Sequence, residues 1–355
     1  MSLFRPVRFL VPGTSGRFRC GGLLVELQSA RLVASLRPAE VVTYRQRQPG
    51  HPFLDDLLKA EPTPGPALWI VSWGFDVPWL LRRLRGRPAA YHAHSSGYGF
   101  DLPAGVPVLA VSRNTLGYWG DRAPRNPLFL VPNALEAMWF NRGSRGEEGE
   151  RLRRPIDVLV QQRKSSRYVL EQLVPALRRR GLAVEVQKGW VEDLVGLFNS
   201  ATVVLYDSAD YWRGCGVSEG FGLPPIEALA CGCVVFSSLN HALADSLDPG
   251  LVGHQIGCGS LEGDLDRIAA AVAQPRAWQP PASRLTPLLE GCSEPVLLER
   301  WRAALEAMDG HWDRWFGLGV VPLQRRPTWR IRLDQVLGRL RHRLGGRLPR
   351  WPAGG

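Results

Sequence analysis

Short apolar runs alternate with stretches of helical spacing along almost the whole chain, and no other feature limits the fold as much. VRFLV (7–11), ALWIVSW (67–73), AAYHAH (89–94), PVLAVS (107–112) and LFLVPN (128–133) have the length and residue types of buried strands. Helical or turn-rich segments such as LLVELQSARLVASL and VPWLLRRLRG (77–86) lie between them. Strands that are apolar throughout need cover on both faces, which implies a parallel sheet with helices above and below. The pattern stops at 141–155, NRGSRGEEGERLRRP, a charged stretch that reads as a linker. It then restarts with strands IDVLVQ (156–161), LAVEVQ, TVVLYD, CVVFSS and LVGHQIG. The intervening helices are SSRYVLEQLVPALRRRG, VEDLVGLFNSA, PPIEALAC and LEGDLDRIAAAVAQ, and residues 294–316 read as a long terminal helix.

The expected fold is therefore α/β, with two doubly wound, Rossmann-like halves facing across a cleft and a helical extension at the C-terminal end. The expected divisions are 1–150, 151–293, 294–324 and 325–355; two domains suit 355 residues at roughly 100–200 residues each. Ligands of such sheets bind outside the carboxyl ends of the strands, so chemistry is expected in the loops that follow them.

Net charge is +11, but nine arginines against one aspartate lie from residue 325 onward. The body is only mildly basic, which argues against nucleic acid and leaves phosphates or acidic lipid as the anionic partners. No apolar run reaches the roughly 18 residues of a membrane span, and MSLFRPVRFLVPG has no stretch of signal-peptide length. The expectation is a cytoplasmic protein with possible peripheral contact at the inner membrane face. In the tail, Leu333, Val336, Leu337, Leu340 and Leu344 recur at helical spacing among arginines, flanked by Trp329 and Trp351. That pattern fits an anionic membrane surface; a helix packed on the first domain and an unstructured basic tail are the alternatives. Six cysteines without C-x-x-C spacing read as reduced and mostly buried thiols.

The richest stretch is SEGFGLPPIEALACG (218–232), where Glu219 and Glu227 are separated by seven residues. A strand precedes it and a helix follows, so it is a strand-to-helix loop on the ligand side. Gly220 and Gly222 allow close backbone approach, and Pro224 and Pro225 suit a first helical turn. Glu227 then falls early in the helix, where a plain macrodipole or capping role is the alternative; for Glu219 it is a solvated loop acid. Arg163 and Lys164 sit between a strand and a helix, where cations meet anionic ligands, or else form an ordinary solvated helix start.

EGFGLPPIEALACGCVVF resembles the signature of glycosyltransferase family 4, whose members are retaining, nucleotide-sugar-dependent enzymes of GT-B fold. VPNALEAMWF (131–140), AVSRNTLGYW (110–119) and PGTSGRFRCGGLLVEL (12–27) are similar to flanking segments of that family in the same order, so the likeness covers about residues 1–290. The resemblance implies that Glu227 binds the donor ribose hydroxyls and that Glu219 lies beside the donor sugar. The amides of Gly220, Phe221, Gly222 and Leu223 would hold sugar and phosphate. Arg163 would stabilise the leaving diphosphate. The family places a lysine five residues after that arginine; here Lys164 is adjacent and Arg167 is the next cation, so the second role falls to one of them. Gly21 and Gly22 would lie against donor phosphates or acceptor, with a turn or close packing as the alternative. His94, rather than His92, is the candidate cleft histidine, with a packing role as the alternative. Lys188 joins the donor-binding set, and Trp190 lies near the base or in the core.

The activity so implied is transfer of a sugar from a nucleoside-diphosphate-sugar to an acceptor hydroxyl by a hexosyltransferase-type enzyme. A glycan or lipid-linked acceptor in cell-surface polysaccharide or lipid-linked glycan synthesis is expected. No metal and no cofactor are expected, the nucleotide-sugar being a substrate. Alternatives are a non-catalytic nucleotide-sugar or glycan-binding relative, or an epimerase or phosphorylase of the same fold; no pyridoxal lysine motif is evident.

Overall fold

The computed structural model describes residues 4–143, 154–247 and 251–315, with the isolated residues 329, 333, 336 and 337. Two parallel sheets account for the apolar runs. The first holds β1 (Val7–Val11), β2 (Ala39–Thr43), β3 (Leu68–Val71), β4 (Ala89–Ala93), β5 (Val108–Ala110) and β6 (Leu128–Leu130), in the order β2-β1-β3-β4-β5-β6. The second holds β7 (Ile156–Gln161), β8 (Val184–Gln187), β9 (Ala201–Tyr206), β10 (Val234–Ser237) and β11 (His254–Gln255), in the order β11-β10-β9-β7-β8. Every pairing between these strands is parallel. Central strands β3, β4 and β5 are buried at every residue, as a parallel sheet covered on both faces requires, and that includes the polar His92 of β4.

Two local details depart from the sequence reading. Strand β2, AEVVT, was not expected. It is an edge strand with three half-covered residues, and its Glu40 takes a hydrogen bond from Arg8 of β1 at 2.8 Å. The stretch expected as one helix after β7 is a π-helical turn, Tyr168–Leu173, that passes into the α-helix Val174–Arg179. Pro175 explains the change: it has no N–H to give, and its ring crowds the preceding turn, which widens to accommodate it.

The long helix Glu294–Trp315 returns to the first sheet. Leu297, Trp301, Ala304, Leu305, Met308 and Trp312 pack on Val7, Phe9, Leu68, Ile70, Ala90 and Leu109. Its Asp309 is buried against Arg37 at 2.7 Å and Arg5 at 3.6 Å. The chain thus crosses between the sheets twice, and the crossings touch: the Leu135 N–H donates to the Cys292 carbonyl at 2.8 Å, and Leu135 pairs with Ser293 in a parallel bridge.

Three of the six thiols are buried, Cys231, Cys233 and Cys292; Cys20 is partly covered, while Cys215 and Cys258 are exposed, so burial is less general than expected. Most of the expected linker, residues 144–153, lies outside the described residues. So does the tail, apart from helical Trp329, Leu333, Val336 and Leu337, of which the first three are exposed. No helix among the described residues is long and apolar enough to cross a membrane.

Candidate active site

In the second sheet, strand order reverses between β7 and β9, with β8 on one side and β10 and β11 on the other. Loops leaving neighbouring strands at such a point diverge and open a crevice at their carboxyl ends. After β7 the chain makes a short turn at Gln162–Lys164; after β9 it runs through Ser208, the helix Ala209–Cys215 and the loop 216–222. Glu219 lies in this crevice and is 3% exposed. Its Oε1 accepts from the Tyr206 hydroxyl, and its Oε2 accepts from Ser208 at 2.6 Å and the Asn240 amide at 2.8 Å. Lys164 Nζ stands 3.8 Å from Oε1 and 5.2 Å over the Trp212 ring. The reading of Glu219 as a solvated acid is thereby overturned: it is the centre of a filled polar network.

Glu227 is its opposite. It is the fifth residue of the helix Leu223–Ala230, past the first turn, and it caps nothing. Pro224 and Pro225 occupy the first turn, as expected, and the preceding Gly222 has a φ of 84°, a left-handed conformation that favours glycine. The half-buried Glu227 carboxylate accepts no hydrogen bond from the described residues. Burial pushes it up to about 7, with Lys164 pulling it down and Glu136 raising it further.

Of the cations, Lys164 belongs to this cluster. Arg163, beside it, is exposed and pairs with no described residue. Arg167 does not join them: its guanidinium is bound to Glu171, one helical turn on, at 2.9 and 3.0 Å. Lys188 lines an open groove of about 560 Å³ along edge strand β8, with Gln162, Arg178 and Glu185. Trp190 is not a core residue. It is 56% exposed, and the Arg19 guanidinium from the loop after β1 lies 4.9 Å over its ring. The rings and aliphatic chains of Phe221 and Leu223 pack with Val111, Leu135, Ile226, Ala230 and Cys292, so only their backbones are left for a ligand.

The first sheet brings a second cluster to the same place. Gly21 and Gly22 open the helix Gly21–Val33; a Cβ at Gly21 would meet nothing within 4 Å, so close packing does not explain that glycine. Glu26 of this helix is buried, and its Oε1 lies 2.7 Å from both His92 Nδ1 and His94 Nε2. Burial would raise the Glu26 carboxyl, but His92 and then His94 outweigh it and hold it at about 2. Burial likewise pushes His92 down, toward its neutral form. The ligand atoms of these three side chains lie within 4.8 Å of one another, close enough to be considered for a metal, but sharing one oxygen at 2.7 Å is hydrogen-bond geometry.

Gly220 joins the two clusters. A Cβ there would sit 1.6 Å from the His94 carbonyl oxygen, so only glycine fits. Beside it the Ser218 N–H donates to the Ser96 carbonyl at 3.0 Å, and the Ser96 and Ser218 hydroxyls are 2.6 Å apart. Glu219, Lys164, Gly220 and His94 are therefore gathered by the fold, whereas Arg167 stands apart. Sequence reasoning missed Glu26, Tyr206, Ser208, Asn240 and Trp212. For Glu26 a signal was present: it lies three residues after Leu23 and seven before Val33, on the covered side of its helix.

No family model matches the sequence, and no curated protein sequence matches it. Solved structures do. A glycosyltransferase from Rickettsia africae ESF-5 aligns with a TM-score of 0.60 at 10% identity, over 86% of this chain and 98% of that one. HepE of Anabaena in complex with UDP and glucose aligns at 0.58 and 14% identity, over 85% and 100%. Sucrose-phosphate synthase from Thermosynechococcus elongatus aligns at 0.56 and 16% identity, over 88% and 98%. At such identities the shared property is the fold: this chain has the GT-B arrangement of two facing parallel sheets that these proteins have.

Proposed function

We propose that the protein is a retaining, metal-independent glycosyltransferase of the family 4 type, moving a sugar from a nucleoside-diphosphate-sugar to an acceptor hydroxyl. The observation that carries this reading is Glu227, a half-buried carboxylate that accepts no hydrogen bond from the described residues, at the crevice of the second sheet. A pair of vicinal hydroxyls, as on a ribose, would supply the missing donors. Lys164 and Arg163, beyond the carboxyl end of β7, would meet the charge that grows on a departing diphosphate. Glu219 has both oxygens occupied, which suits a positioning group rather than an attacking nucleophile. A same-face displacement, in which the leaving diphosphate takes the acceptor's proton, then needs only placement and charge stabilisation from the protein.

HepE, of the same fold, was solved with UDP-glucose, so that donor is the first to test. A glycan or lipid-linked acceptor is part of the proposal, as is contact of the tail with an anionic membrane. Thermal-shift measurements with UDP-, GDP- and ADP-glucose test the donor. A saturating donor at about 100 times its Kd stabilises by about 2.7 kcal/mol, and Glu227→Ala is expected to lose most of that shift. Release of free nucleoside diphosphate then marks a transferase, while binding without turnover marks a non-catalytic relative. No shift with any of the three donors overturns the reading.

A further inference from the structure

The family resemblance places His94 at the cleft, and the fold sets its carbonyl against Gly220, but neither accounts for the residue that holds its ring. Glu26 is 2% exposed, and the two imidazoles that contact it are 1% and 15% exposed. A carboxylate buried this deeply is strongly destabilising unless it is paired, and the described partners of Glu26 are these two rings. An ionised carboxylate has no hydrogen to give, so each ring nitrogen touching Oε1 carries one. His92 is then the Nδ1–H tautomer. Its Nε2 is buried without a described partner, and the ring meets the Trp301 indole at 5.3 Å and 85°. His94 is held by Nε2–H, one residue beyond the end of β4, with its carbonyl against Gly220. Its Nδ1 makes no bond with the described residues and is not sealed in the protein interior.

We propose that Glu26 is a positioning residue: by holding His94 through Nε2–H it turns Nδ1 toward the space between the sheets, where a ring carrying that single hydrogen accepts from a ligand hydroxyl. The proposal rests on that space being the sugar-transfer site. The geometry separates charge from contact, because both imidazoles use the same oxygen. Glu26→Gln keeps an acceptor there, whereas Glu26→Leu fills the volume and keeps none.

Two measurements on the full chain test it. In the first, ¹⁵N-histidine spectra at a pH where the rings are neutral show two exchange-protected imidazole N–H signals, one from Nδ1 of His92 and one from Nε2 of His94. Both persist in Glu26→Gln and vanish in Glu26→Leu. In the second, UDP release from UDP-glucose is followed in a double-mutant cycle with His94→Ala. Glu26→Leu lowers kcat on the order of tenfold or more in the wild-type background, with a smaller change in KM, and adds nothing in the His94→Ala background. A merely structural Glu26 would lower the melting temperature equally in both backgrounds and cost the same in each. Absent N–H signals in the wild type, or additive costs in the cycle, overturn the proposal. If the signals behave as stated but His94→Ala keeps full turnover, His94 has no place in the reaction and the proposal falls with it. If the wild type releases no UDP, that failure belongs to the choice of donor, and the signals alone decide whether Glu26 positions His94.

Discussion

Glu219 and Glu26 are both buried carboxylates, but one is held by hydroxyls, an amide and a lysine, the other by two histidines. On the second sheet each carboxylate oxygen already has its donors, so the network around Glu219 is a filled frame. On the first sheet the partners are imidazoles, the side chains whose ordinary titration lies nearest neutrality. Glu227, eight positions from Glu219, accepts no hydrogen bond from the described residues. A carboxylate already satisfied without ligand belongs to the scaffold, and one left open marks where a ligand completes the protein.

The largest expected effect tests the frame on the second sheet. Lys164→Ala should lower kcat on the order of 10² to 10³, with Arg163→Ala lowering turnover less, both read as nucleoside diphosphate release. Unchanged turnover in both would mean that the charge at the end of β7 serves only Glu219. Gly220→Ala strikes the point where the two clusters meet. Backbone faces backbone there, so a methyl group should cost about 1–3 kcal/mol or more, measured by urea unfolding, and part the two loops. Full stability would show that the halves adjust freely at that contact.

Glu227→Gln sharpens the contrast between open and filled carboxylates. Donor affinity should fall about tenfold, or about 1.4 kcal/mol by calorimetry. The pH dependence follows from burial, which raises the folded carboxyl to about 7. A folded group that binds its proton more tightly than the unfolded one contributes stability that is complete below the ordinary carboxylate range and is lost as pH rises through about 7. Donor affinity should run the other way, increasing through the same window as the ionised acceptor forms, and the Gln variant should flatten both slopes. The smallest effect belongs to Arg167→Ala. With its guanidinium tied to Glu171 in solvent, stability should stay within about 0.5 kcal/mol and turnover should not change.

Much of the second sheet's site was legible because its residues are close in sequence. The Glu219–Glu227 spacing, the glycines and the paired prolines lie in one loop and the helix after it, and each fulfils a local rule. The partners of Glu219 were not legible, since Asn240 follows a different strand and Trp212 sits on a helix with no distinct pattern. Glu26 was hidden for another reason. Its place on the covered side of the helix pointed to burial, but a single acid among LLVELQSARLV has no partner in its own segment, and the two histidines that face it come from β4 and the loop after it. Strand β2 escaped because an edge strand needs fewer apolar residues than a central one, and Trp190 read as core because a tryptophan's bulk says nothing about which side is covered.

The paired crossings between the sheets have a mechanical consequence. Two tethers are joined side by side at Leu135 and Ser293, and the long helix Glu294–Trp315 packs the end of one of them onto the first sheet. A single connection would leave the halves free to take many relative orientations; two connections bonded to each other restrict that choice. The meeting of Gly220 with the His94 carbonyl is then favoured by the chain's own connectivity, and a ligand need not supply the registration of the two half-sites.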